Sequence, residues 1–161
     1  MPETLITRPR RRMFPGRADQ IAHARDFTRR ALGACPVLDE AVLLVSELTT
    51  NALQHTATGG AGSFHVTVYQ GEAALLIAVK DDGSDKIPLP SPADALAEDG
   101  RGLSLVELIA SRWGHWTDEH GRTIWFELRW NGLNRPDSWH GCKGQVLDRW
   151  ASCLIADLRG S

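Results

Sequence analysis

The chain has 161 residues and a formal net charge of −2, with 42% hydrophobic and 24% charged residues. Those values suit one soluble domain with a real core, and they exclude a disordered polar chain. No apolar run approaches the roughly 20 residues of a membrane span, and no apolar N-terminal segment reads as a secretory signal, so a cytoplasmic protein is expected.

The small net charge hides an asymmetry. Arg8, Arg10, Arg11 and Arg12 crowd the N-terminus, and residues 1–13 read as a flexible basic arm, either a solvated tail or a contact for nucleic acid or an acidic partner. After a Pro-Gly break, Ile21, Ala24, Phe27 and Ala31 repeat at helical spacing up to about Gly33, with Asp19 placed for the first turn. Gly33 and Pro36 punctuate. A second helix is expected from about Pro36 to Thr56, because Ala41, Leu44, Val45, Leu48 and Ala52 make one apolar stripe.

The period then changes to two. "FHVTVY" alternates Phe64, Val66 and Val68 with His65, Thr67 and Tyr69, as a half-buried strand does. After the break at Gly71-Glu72, the more continuous run "AALLIAVKD" predicts a strand near the middle of a sheet. A polar, proline-containing segment follows, then the helical "LSLVELIASRW", then strands around His115–Thr117 and Arg122–Trp130. Helices grouped on one face of a mostly antiparallel sheet make an α+β two-layer sandwich. In the tail, 131–161, Leu147, Trp150, Leu154 and Leu158 fall on one face of a further helix, which either packs on the domain or docks a partner. Cys35, Cys142 and Cys153 are odd in number and lack CxxC spacing, so reduced thiols are expected.

Three stretches carry candidate chemistry. In "ELTTNALQH", Glu47, Asn51 and His55 stand four residues apart, on one helix face bordering the apolar stripe. A carboxylate and an amide oxygen there are hard ligands of the kind Mg²⁺ accepts, and the carboxylate could take a proton from a hydroxyl. In "KDDGSD", Asp81 leaves the end of a strand and could accept a hydrogen bond from an exocyclic amine, with Gly83 admitting a flat ring. In "EDGRGLSLVELI", Gly100 and Gly102 precede a helix whose N-terminal amides favour phosphate, and the segment before them looks like a lid.

In this order and on these elements, the stretches resemble the N-box, the Asp-x-Gly box, the lid and the GxGL box of the Bergerat-type ATPases, which include DNA gyrase B, histidine kinases and anti-sigma-factor serine kinases. "VSELTTNALQH" and "GRGLSLVELIASRWG…GRTIWFEL" look most like the small actinobacterial anti-sigma-factor kinases, and the resemblance covers about residues 14–130. It implies Asn51 as Mg²⁺ ligand, Glu47 as general base, Asp81 and Gly83 at adenine, Gly100 and Gly102 at the phosphates with Leu103 closing their box, and Thr123 helping to hold adenine through water. His55 closes the N-box. The resemblance implies ATP and Mg²⁺ as cofactors, an antagonist protein as substrate, a sigma factor as partner and a homodimer. A nucleotide-binding module that acts by partner binding alone is the rival expectation. Two places depart from the family pattern: Asp85 stands where a second glycine is usual, and the tail continues past the last strand.

Overall fold

The structure, a computed structural model, describes residues 8–55, 62–81, 100–130 and 149–160. It is an α+β sandwich built on a five-stranded sheet in the order β1-β2-β3-β5-β4, with every neighbouring pair antiparallel. The strands are β1 (Arg10–Pro15), β2 (Ser63–Gln70), β3 (Ala74–Asp81), β4 (Arg112–Asp118) and β5 (Gly121–Arg129). The helices are α1 (Gln20–Leu32), α2 (Leu38–His55), α3 (Gly100–Ile109) and α4 (Arg149–Arg159).

Strand β1 corrects the expectation of a flexible arm at residues 10–13; residues 1–7 of that arm lie outside the described residues. Arg10 to Pro15 pair with Val68 to Ser63 of β2. The run "RRRM" hides the strand because its side chains are exposed and only Phe14 is buried. Charge on an edge strand is a device against unwanted pairing with other sheets, so the arginines are compatible with strand structure. The central place of β3 matches its continuous apolar run, since seven of its eight positions are buried.

Helix α1 ends at Gly33, which takes φ 59° and donates its N–H to the Arg29 carbonyl at 2.9 Å. A side chain at that φ would be strained, so glycine stops the helix here. Asp19 occupies the N-cap position without capping, its carboxylate being held instead by the Arg17 guanidinium at 3.1 Å.

The stripes of α1, α2 and α3 close over one face of the sheet. Leu44, Val45, Leu48, Leu103 and Val106 pack there with Phe64, Val66, Leu75, Ile77, Val79, Ile124 and Phe126. The opposite face is covered by α4, whose Leu154 and Ile155 pack with Tyr69, Leu76, Ala78 and Trp125. This second layer explains why Thr67 and Tyr69 are buried although the alternation of β2 places them outward. Gly114 serves the same layer: a Cβ there would approach the Trp125 indole to 2.7 Å, so glycine admits the ring.

Candidate functional site

The apolar stripe of α2 carries one polar interruption. Asn51 follows Leu44 and Leu48 at seven and three residues, so it falls on their face, and it is only 4% exposed. Its Oδ1 is buried and has no hydrogen-bond partner among the described residues. Thr49 of the same helix makes the contrast. That hydroxyl is also buried, but it donates to the Val45 carbonyl at 2.8 Å. Leaving a buried carbonyl oxygen unpaired costs about 1–3 kcal/mol, and natural structures contain few such atoms. An amide oxygen kept this way is a ready ligand for a hard cation or a water held by one.

Glu47 lies one turn before Asn51 and is half-buried at the border of the stripe. His55 is the last residue of α2, and its side chain lies outside the described set. The expected row is therefore built for Glu47 and Asn51.

Asp81 ends β3 and is 5% exposed. It stands two residues beyond Val79, so it shares the helix-covered face. Across the ladder it faces Arg122, whose Nε lies 3.7 Å from Oδ2. His115, paired with Ile124 of β5, lies on the same face. Although His115 is exposed to solvent, partial desolvation of its ring, and then the nearby Arg122 charge, push the imidazole below its ordinary value.

The resemblance places Thr123 beside adenine, and the register does not allow that together with Asp81. Thr123 pairs with Lys80 and lies one position from Arg122, so its side chain stands on the α4 side of the sheet. There it lines a cavity with Arg11, His65, Thr67, Ala78, Lys80 and Leu158. The β5 residue beside Asp81 is Arg122. The choice between these neighbouring residues depends on strand parity, which the β3–β5 register sets and the sequence pattern alone does not.

Gly100 and Gly102 are expected just before a helix, and the structure puts both inside the first turn of α3. Their amides still belong to the unsatisfied N–H groups of a helix N-terminus. Leu103 is buried in the core and anchors that turn. Gly83, Asp85 and the expected lid lie outside the described residues.

Asn51 and Asp81 thus both occupy the helix-covered side, on two elements that pack against each other, α2 and β3. The profile of the histidine kinase-like ATPase domain matches residues 14–128. The chain belongs to this family. No curated protein matches the chain. The matched span begins within β1 and ends in β5, so it takes in the helix-covered core and leaves α4 outside. The domain is accordingly an ATP-binding domain of the histidine kinase-like type. No described helix is long and apolar enough to cross a membrane.

Proposed function

We propose that this protein is an ATP- and Mg²⁺-dependent serine/threonine protein kinase of the anti-sigma-factor type. It acts in the cytoplasm as a homodimer, phosphorylates a small antagonist protein and thereby controls release of a sigma factor. The observation that carries the reading is the Asn51 Oδ1, a buried acceptor on the apolar stripe of α2 that has no partner among the described residues and that a bound cation would satisfy. Family membership supports the ATP site itself.

Asn51 would hold Mg²⁺, with waters and phosphate oxygens completing its shell, and the ion would neutralise charge on the phosphates. Asp81 accepts the exocyclic amine of adenine, exchanging part of its interaction with Arg122 for that hydrogen bond. The amides of the first turn of α3, at Gly100 and Gly102, face the phosphates. Glu47 takes the proton of the substrate hydroxyl. The hydroxyl oxygen bonds to the γ-phosphorus while the bond from that phosphorus to ADP breaks, so little covalent help from the protein is needed.

Calorimetric titration with Mg·ATP tests the pocket, and transfer of labelled phosphate to a partner tests the chemistry. Asn51→Ala is expected to weaken Mg·ATP binding by at least about tenfold, the value of one charge-assisted interaction. Glu47→Ala is expected to keep binding and to lower transfer by about 10²–10⁴-fold, the usual contribution of a general base. A wild-type chain that binds ATP and transfers to no hydroxyl partner would instead be a nucleotide-dependent binding module.

A further inference from the structure

Strand β1 lies at the edge of the sheet: β2 pairs with one side of it, and among the described residues no strand pairs with the other. Such an edge offers a row of outward N–H and C=O groups to an extended chain laid beside it. We propose that the free edge of β1 docks a short, extended, acidic segment of a partner protein, which adds to the sheet as a further strand. The proposal rests on the charge and register of β1 and is independent of the kinase reading.

Charge selects the occupant. Residues 8–33 hold eight arginines against two aspartates, although the chain as a whole carries a net −2. Both aspartates are engaged, Asp19 by Arg17 at 3.1 Å and Asp26 by Arg29 at 3.0 Å. Arg10, Arg12 and Arg30 are exposed, and none of the three meets a carboxylate among the described residues. Two contacts hold them near one another. The Arg10 Nη1 approaches the Arg30 carbonyl to 3.5 Å at the last turn of α1, and the Arg12 guanidinium stands over the Phe14 ring, 5.1 Å from its centre. Arg10 and Arg12 pair with Val68 and Val66, so both lie on the helix-covered side, where α1 packs on β1.

A second copy of this chain suits the edge poorly, because pairing β1 with β1 sets arginine against arginine, and like charges facing across a ladder weaken it. Nucleic acid finds no stacking platform on the strand, since its aromatic residue, Phe14, is only 1% exposed. An acidic strand satisfies the backbone and the charge together. Carboxylates at alternate positions fall on the side of Arg10 and Arg12, where each forms a cross-strand pair with a guanidinium. Met13 points to the other side of the strand and is 59% exposed, so an apolar residue opposite it completes the contact. Pro9 precedes the strand and Pro15 ends it, and neither has an N–H to donate, so the added strand is short, about five residues.

The test is a ¹H–¹⁵N spectrum of the full-length chain at low salt, titrated with the end-capped peptide Glu-Val-Glu-Val-Glu. The comparison peptides are Gln-Val-Gln-Val-Gln, which removes the charge, and a fully N-methylated form of the acidic peptide, which keeps the charge and removes the backbone donors. Saturable shifts of the amides of Arg10 to Phe14 are expected with the acidic peptide at millimolar concentration, and both comparison peptides should bind at least about tenfold more weakly. Arg12→Gln should weaken the acidic peptide about threefold, the scale of one cross-strand ion pair, while Arg12→Lys keeps it within about twofold. The proposal is overturned if the acidic peptide leaves these amides unmoved, if its N-methylated form binds equally well, or if folded Arg12→Gln responds like wild type. Tighter binding of single-stranded oligothymidylate at the same amides would overturn it in favour of nucleic acid. Shifts of these amides on raising the protein concentration alone would overturn it in favour of a second copy.

Discussion

The two faces of the sheet solve burial in different ways. The helix-covered face is apolar almost throughout, and two of its polar groups, Asn51 and Asp81, come toward the ends of α2 and β3. The α4 side mixes Leu76, Ala78 and Trp125 with Thr67, Tyr69, Thr123 and Glu127, all buried. Of these polar groups, Thr67 pairs with Arg11, Tyr69 with Asp157, and Glu127 with Arg112 and Arg129. On the helix-covered face, the Asn51 Oδ1 is an acceptor left open among the described residues. Polar pairs of that kind hold structure, whereas a buried open acceptor is suited to receiving a ligand.

The sharpest way to break that contrast is to remove a paired group from the α4 side. Glu127 is fully buried and bonded to two guanidiniums: Arg112 through Nε at 3.0 Å and also through Nη2, and Arg129 through Nε at 2.6 Å. Glu127→Ala removes the buried carboxylate that both guanidiniums share. Breaking a buried ionic network by removing one partner costs about 3–5 kcal/mol. Arg112 and Arg129 can still turn toward water, so the lower end, about 3 kcal/mol, is expected in urea denaturation. Nucleotide binding by the folded fraction should be unchanged. A destabilisation below about 1 kcal/mol, the scale of an exposed ion pair, would show the network to be a surface feature.

The same contrast separates what the sequence could reveal from what it could not. The stripe of α2 and the alternation of β2 and β5 were legible because one face of each is uniformly apolar. Asn51 was legible too, since it interrupts a stripe at helical spacing. Strand β1 was hidden because a charged edge strand buries only Phe14 and shows no alternation. The amphipathic pattern of the tail announced a helix, but periodicity gives no target surface, so the burial of Thr67 and Tyr69 beneath α4 could not be foreseen. Thr123 was misplaced for a third reason: one residue of register carries a side chain through the sheet, and Arg122 takes the place beside Asp81.

That exchange gives a smaller test on the ligand-receiving face. Arg122 competes with any amine for the Asp81 carboxylate. Its Nε stands at 3.7 Å, longer than a hydrogen bond, so the attraction is electrostatic and can be given up. Arg122→Thr removes that attraction from Asp81 and is expected to tighten Mg·ATP about threefold to tenfold, within the range of one relieved charge interaction. It should also let the His115 imidazole rise toward its ordinary value, since one of the two causes of its depression is gone. Titration calorimetry and the His115 ring signals followed against pH report both. Weaker ATP binding in the variant would make Arg122 a direct contact to the nucleotide.

The smallest effect concerns how α4 is held. Tyr69 is the only tyrosine in the chain, so phenolate absorbance reports it alone. Burial, and then its hydrogen bond to Asp157, push the phenol well above its ordinary value. The folded chain therefore keeps a proton that an unfolded tyrosine loses near about pH 10. The native state binds more protons in that window, so the contribution is complete below about pH 10 and is lost as pH rises toward the folded value. Phenolate absorbance is expected to appear together with unfolding or release of α4, and the ordinary tyrosine titration should be missing. Tyr69→Phe keeps the ring in its place between Leu76 and α4 and removes only the hydroxyl. Asp157 is exposed and can return to water, so the cost should be about 1 kcal/mol, the value of an ordinary net hydrogen bond. A phenolate titrating near its usual pH in the folded protein would mean that α4 leaves this face in solution, and with it the Leu158 wall of the basic cavity.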